Sequence, residues 1–316
     1  MKTKNKSIAI DIGGSRIKIA TVGEGKIERI RTIPAHSEGK LADRLNDIAA
    51  ATVEIAGELS QYDGVGVSLP CLVDPVSKRA TEIYSKFEDA PSLDLATWAK
   101  DTFDLPFVIG QDSKLALLGE AHYGCAKEYD DVVMVIMGTG VGVAVMLDGE
   151  LLQGRHFSSG ALASHVVVER NGRKCTCKGR GCLEAYTATW ALPQMLREHK
   201  DYPESLLANR KTQDYKALSE AVRAGDRIAR DVLDNVISAM RAGLISFIHA
   251  YSPQAIVLSG GPLHMGEMFT KPLFAGINDI VWGKDDVDFL LAQDPDASVA
   301  LGLHYLTMKE TVRRNG

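Results

Sequence analysis

Ser7-Ile-Ala-Ile-Asp-Ile-Gly-Gly-Ser-Arg-Ile-Lys-Ile-Ala-Thr-Val22 is the stretch whose reading decides the fold. Ser7 to Ile12 alternates and is rich in isoleucine, which reads as a strand. Gly13-Gly14 breaks it, and Arg16 to Val22 resumes the strand pattern. Lys26 to Ile33 follows after a second glycine-containing turn. The chain therefore opens with a β-meander and not with a βαβ unit.

Further along, Leu41 to Leu59 has helical apolar spacing and Gly64 to Leu69 reads as a strand. Leu93 to Phe103 reads as a helix, Phe107 to Gly110 as a short strand and Lys114 to His122 as the helix after it. The opening pattern then returns. Val132 to Met137 is a strand, Gly138 to Gly142 a glycine-rich turn and Val143 to Leu147 a strand. Asp148-Gly149 is a hairpin signal leading to Glu150-Leu-Leu152. Helices are expected at Leu183 to Glu198, Tyr215 to Ala224 and Asp226 to Ala250. A strand at Ala255 to Leu258 ends in Ser259-Gly260-Gly261, and a strand at Val287 to Ala292 and a helix at Ser298 to Lys309 close the chain. Two segments that each start strand, glycine turn, returning strand point to an internal duplication. Two similar lobes facing each other across a ligand cleft are its expected product.

The 316 residues suffice for two lobes with a large core. A composition of 45% hydrophobic and 24% charged residues is that of an ordinary globular protein. The net charge of -5 gives no electrostatic reason to bind nucleic acid or an anionic membrane. The basic start is followed by no apolar signal core, and no apolar run is long enough to span a bilayer, so a cytoplasmic protein is expected.

Asp11-Ile-Gly-Gly-Ser-Arg-Ile-Lys18 puts a carboxylate at a strand end, before glycines that let backbone approach a ligand closely. Amides in such a turn can converge on a phosphate. Asp11 suits Mg²⁺ held through water, and Lys18 or Arg16 suits phosphate charge. A plain β-hairpin is the competing reading. Gly138-Thr-Gly-Val-Gly142 is a second turn of this kind. No helix begins at it, which excludes a dinucleotide fingerprint, and no Gly-x-x-x-x-Gly-Lys-[Ser/Thr] motif is present. Ser259-Gly260-Gly261 is a third such loop, suited to close approach by an adenosine.

Val108-Ile-Gly-Gln-Asp112 places a carboxylate just past a strand and before a helix. It is either a helix N-cap or a general base for an attacking hydroxyl. Cys175-Thr-Cys-Lys-Gly-Arg-Gly-Cys182, with His165 ten residues upstream, makes a Cys₃His set suited to a closed, structural zinc. Cys71 and Cys125 stand apart and read as buried, inert thiols.

Together these elements resemble the ROK (repressor, open reading frame, kinase) family of sugar kinases, from Asp11 to about Gly302. Its most specific piece is Cys175 to Glu184, where the family usually has glycine at Lys178. Gly64-Val-Gly-Val-Ser-Leu-Pro-Cys-Leu-Val-Asp74 resembles the sugar-side loop, with Cys71 at a customary glycine. The resemblance implies a two-lobed actin-like, ribonuclease H-like α/β ATPase fold with an interlobe cleft and a zinc loop. It implies a smaller lobe of 1–115 plus 296–316 and a larger one of 116–295. The implied activity is ATP- and Mg²⁺-dependent phosphorylation of a hexose or hexose derivative, with Asp112 as base. Nucleotide contacts fall to Asp11, Gly13, Gly14, Ser15, Lys18, Gly138, Thr139, Gly140, Gly142, Gly260 and Gly261. Sugar contacts fall to Gln111, Asp112, His165 and Glu184, with His165 also binding zinc alongside Cys175, Cys177 and Cys182. A dimer or tetramer is implied as well.

The chain also departs from the family. Gln111 stands at a usual asparagine, Leu162 at the usual sugar-binding glutamate, and Tyr84-Ser85-Lys86-Phe87 lacks an expected asparagine. These changes favour a sugar other than glucose, such as an epimer, a deoxy or N-acyl sugar, or another polyol. Gln111 and Leu162 also favour a non-catalytic sugar or nucleotide binder, which ranks below the kinase because both phosphate loops and Asp112 are kept. A sugar-sensing regulator is the third alternative. A first strand at about Ser7 leaves no room before it for a helix-turn-helix domain.

Overall fold

The structure, a computed structural model, describes residues 4–82, 86–283 and 286–315. β1 (Lys6–Ile12), β2 (Arg16–Gly23), β3 (Lys26–Pro34), α1 (Leu45–Ala56), β4 (Gly64–Leu69), β5 (Leu72–Asp74), β6 (Arg79–Glu82), α2 (Leu95–Phe103), β7 (Phe107–Gln111) and α3 (Asp112–Tyr123) come first. There follow β8 (Val132–Met137), β9 (Val141–Leu147), β10 (Glu150–Leu151), α4 (Glu184–Thr187), α5 (Leu192–Glu198), α6 (Tyr215–Arg223), α7 (Arg227–Tyr251), β11 (Ala255–Gly260), α8 (Glu267–Phe274), β12 (Asp288–Leu291) and α9 (Pro295–Asn315). Among the described residues no helix is long and apolar enough to cross a membrane.

These elements build two compact units. The first comprises Met1–Glu128, Gln153–Ser159 and Ala292–Gly316, the second Tyr129–Leu152 and Gly160–Leu291. The expected boundary at 115/116 would cut α3, which instead lies whole in the first unit. Gly119 and Gly302 explain why. A Cβ on Gly119 would strike the Ser298 carbonyl of α9, and one on Gly302 the Leu115 carbonyl of α3. The two helix backbones thus approach closely, as only residues without a Cβ permit. Lys114 on α3 ties 153–159 to the same unit by donating to the Phe157 carbonyl at 2.7 Å.

The duplication read from the sequence is present in the sheets. Among the described residues the first unit holds a sheet of order β3-β2-β1-β4-β7 and the second a sheet of order β10-β9-β8-β11-β12. In both, the first three strands run antiparallel, and the last two join the central strand in parallel. Alternating residues fill each core. Ile8, Ile10, Ile17, Val65, Val67 and Ile109 are buried in the first. Val133, Val135, Val143, Val145, Ile256 and Leu258 are buried in the second. There the long amphipathic α7 covers them, started by Asp226, whose carboxylate caps the Ile228 and Ala229 N–H groups.

Three local expectations differ. The helix expected over Leu41 to Leu59 is confined to α1, since Gly57 (φ 67) ends it. The helix expected over Leu183 to Glu198 breaks at Ala188, which is extended. The Thr189 and Trp190 N–H groups donate instead to the carbonyls of Gly138 (3.1 Å) and Thr139 (3.3 Å), and Pro193 restarts the helix as α5. The hairpin β5–β6 and the helix α8, which carries Pro272 inside it, were not anticipated.

Candidate active site and metal cluster

In the first unit, β1, β4 and β7 are parallel, so Asp11, Ser68 and Gln111 all come near the C-terminal ends of their strands. The glycine turn between β1 and β2 closes with the Gly13 N–H donating to the Arg16 carbonyl at 3.0 Å. A Cβ on Gly13 would lie 2.8 Å from that same oxygen. Asp11 and Lys18 are register partners across the strand pair. Their charges lie 4.0 Å apart, with the side chains 15% and 18% exposed. Ser15 and Arg16 at the tip are exposed.

Asp112 is the first residue of α3, and Gln111, in an extended conformation, occupies the N-cap position. The capping alternative for Asp112 is thereby replaced by a different local arrangement: its Oδ1 accepts from the Ser113 N–H at 2.6 Å. Burial, and next the charge of Asp11, raises its carboxyl from an ordinary 3.8 to about 6, while the Ser113 N–H and the Lys86 ammonium work in the opposite direction. A base of this strength suits proton abstraction near neutral pH. Burial and then the Asp112 charge push the Cys71 thiol up to about 12, so Cys71 is an inert neighbour. Cys125, half-buried, is likewise pushed up to about 12 by burial and then by Glu120.

Gln111 Oε1 and Ser68 Oγ are buried and have no hydrogen-bond partner among the described residues. Each such atom costs about 1–3 kcal/mol unless a ligand or water satisfies it. Lys86 is the feature sequence reasoning missed. Its Cδ, Cε and Nζ fill the space where a Cβ on Gly14 would stand. It belongs to no motif, so no pattern could have singled it out. Tyr84 and Ser85, beside it in the stretch lacking an asparagine, lie outside the described residues.

In the second unit, the turn between β8 and β9 closes with the Gly138 N–H on the Gly140 carbonyl at 2.9 Å. β11 runs parallel to β8 with Gly260 opposite Met137, so the second and third glycine loops leave neighbouring strand ends. Gly260 has φ 106, and a Cβ there would collide with the Met137 carbonyl. Glycine is required at that point. Ser259 Oγ is buried without a partner among the described residues.

Glu184, at the start of α4, is buried. Its Oε2 accepts from the Val141 N–H at 3.2 Å and its Oε1 from Thr176 Oγ1 at 2.9 Å. It thereby links the cysteine loop to the second glycine turn, and each oxygen keeps a second lone pair for a ligand. Leu162, 38% exposed, precedes the short turn Ala163–His165.

The ligand atoms of His165, Cys175, Cys177 and Cys182 lie within 4.8 Å of one another. The Cys175 Sγ to His165 Nδ1 distance is 3.5 Å, and Cys177 Sγ to Cys182 Sγ is 3.6 Å. A tetrahedral zinc with bonds near 2.0–2.3 Å has ligand–ligand edges of about 3.5–3.8 Å, so the cluster fits the ion. Burial pushes the Cys182 thiol up to about 12, a bias that a bound dication reverses. Because Nδ1 faces the cluster, Nε2 is the ring atom of His165 left for another ligand. The loop curls through Lys178 (φ 70) and Gly181 (φ 74), which accounts physically for the customary glycine at position 178.

The model of the ROK family matches residues 7–310. A glucokinase of Thermotoga maritima is 33% identical over 287 residues, covering 88% of this chain and 89% of that protein. A xylose repressor of Bacillus subtilis is 25% identical, covering 90% of this chain and 71% of that protein. Among solved structures, a ROK family glucokinase from Streptomyces griseus, in complex with glucose and AMPPNP, superposes with a TM-score of 0.79. It is 25% identical, and the match covers 96% of this chain and 99% of that one. With the match of the family model over nearly the whole length, and with its two repeated α/β sheets, the chain belongs to the ROK family.

Proposed function

We propose that this protein transfers the γ-phosphoryl group of ATP to a hydroxyl of a hexose or hexose derivative. The observation that carries this reading is the Asp112 carboxyl, raised to about 6 at the head of α3 beside the Asp11 turn. Asp112 takes the acceptor proton. Gln111 Oε1, without a partner among the described residues, receives a sugar hydroxyl, and Glu184 and His165 Nε2 are the further sugar contacts that the family resemblance assigns. Phosphates are met by the turn at Gly13, Gly14 and Ser15, by Lys18, and by the turn at Gly138, Thr139, Gly140 and Gly142. Gly260 and Gly261 admit the adenosine. Mg²⁺ carried by the nucleotide would be held through water at Asp11, where it offsets phosphate charge. His165, Cys175, Cys177 and Cys182 hold a structural zinc. The glucokinase relative and the AMPPNP complex support this reading.

Leu162 cannot accept a hydroxyl, and a sugar hydroxyl facing it loses about 1–3 kcal/mol. The preferred sugar is therefore expected to differ from glucose. ADP release with MgATP across a panel of epimers, deoxy sugars, N-acyl sugars and polyols tests the proposal. Release that depends on one sugar class supports it. Tight sugar binding with no release on any member would replace it by a non-catalytic binder. Specific, salt-sensitive DNA binding would favour the regulator that the repressor match brings forward.

A further inference from the structure

The first unit holds a cation over the first glycine turn to which the kinase reading gives no task. Lys86 is part-buried, and the end of its side chain lies against Gly14 in the turn between β1 and β2. Among the described residues it is the cation whose charge acts on Asp112. It thus lies against the turn assigned to the phosphates, and its charge reaches the carboxylate assigned to the acceptor hydroxyl.

Its position is fixed by its neighbours. Phe87, 1% exposed, anchors the following residue in the core. Its N–H donates to the Ser37 carbonyl at 3.0 Å, and its own carbonyl accepts from the Ala90 N–H at 2.9 Å. Ser37 Oγ in turn donates to the Gly14 carbonyl at 2.5 Å. A chain of contacts thus runs from the glycine turn through Ser37 to the backbone that carries Lys86. Phe87 adopts φ 53, a left-handed conformation that is costly for an aromatic residue and persists only where surroundings impose it.

We propose that Lys86 is a second catalytic residue, whose ammonium stabilises the charge on the phosphoryl group during its transfer. This rests on the kinase reading. The acceptor oxygen bonds to the γ-phosphorus as the bond from that phosphorus to the β–γ bridging oxygen breaks. The hydroxyl proton passes to Asp112, and ADP leaves with the bridging oxygen. Charge in such a transition state spreads over the three equatorial oxygens, and protein cations beside them supply much of the catalysis. The group in transit must pass between the turn and the base, and Lys86 lies against that turn with its charge felt at the base.

The test compares the wild type with Lys86→Met and Lys86→Arg, using the best sugar of the panel. Lys86→Met is expected to lower kcat by about 10²–10³-fold, the usual loss for one such donor. KM for sugar and ATP should stay within about threefold, and Lys86→Arg should recover at least about a tenth of the wild-type rate. An unchanged melting temperature in Lys86→Met separates this from a folding defect. Wild-type turnover that Lys86→Met leaves intact overturns the role of Lys86 alone. A Lys86→Met variant that raises KM only for acidic sugars, at constant kcat, also overturns it and makes Lys86 a substrate anchor. Wild-type turnover that is absent, or that Asp112→Asn leaves unchanged, overturns this inference together with the kinase reading.

Discussion

The two units repeat one strand order, yet their charges stand in different places. At the penultimate residue of β1, Asp11 faces Lys18 across the strand pair. At the matching step of β8, Ile136 faces Gly142. The first turn therefore carries paired charge, whereas the second carries none. Glu184 is brought to that second turn from α4, in sequence just after the cysteine cluster. A duplicated framework decides where the chain turns, and side chains outside it decide what each turn can do.

The comparison breaks most sharply at Asp112. Asp112→Asn is expected to lower kcat by about 10²–10⁴-fold, measured as sugar-dependent ADP release. In the wild type, kcat/KM should fall about tenfold per pH unit below about 6, as the base becomes protonated. Stability should move the other way. The folded pKa of about 6 lies above the ordinary 3.8, so the ionised form costs stability above about pH 6 and nothing below about pH 4. Asp112→Asn should thus add at most about 3 kcal/mol of stability at pH 8, read as a higher melting temperature, and leave the melting temperature unchanged near pH 4. Loss of stability at pH 8 would contradict the cause assigned to the shift.

A smaller effect is expected at the metal cluster. Elemental analysis should find one zinc per chain, and Cys182→Ser should remove it. A ligand at about a thousand times its Kd contributes about 4 kcal/mol, or about 8–16 °C. Hydrogen exchange sharpens the contrast between units: lost protection should be concentrated in 160–291 and spare the strands β1, β4 and β7. Protection lost equally in both sheets would end the division of labour. The smallest effect belongs to Lys178→Gly. Relief of a left-handed lysine, less the entropy of glycine, should leave a gain below about 1 kcal/mol, seen as a melting rise of about 1–3 °C.

Most of the framework was legible because its signals are local. The alternating runs around Ile8 to Ile12 and Val132 to Met137, and the glycines after them, carry their own strand and turn chemistry. What stayed hidden depends on distant partners. Ala188 interrupts a helical pattern because the next two N–H groups are taken by the carbonyls of Gly138 and Thr139, some fifty residues earlier. β5 and β6 are too short to show alternation, and an Asx-type turn at Asp74, accepting from Val76 and Ser77, joins them. In the site, the cluster of His165 and the cysteines was legible from spacing. The tie from Glu184 to Val141 and the placement of Lys86 over Gly14 were not, since neither partner marks the other in sequence.

The seam between α3 and α9 sets a timetable for the molecule's birth. Ser7, Leu115 and Gly119 are made before the second sheet, but their partners His304, Gly302 and Ser298 are made after it. The first sheet is thus synthesised before the second yet must wait, its α9 contacts unmade, until the second sheet has been made as well.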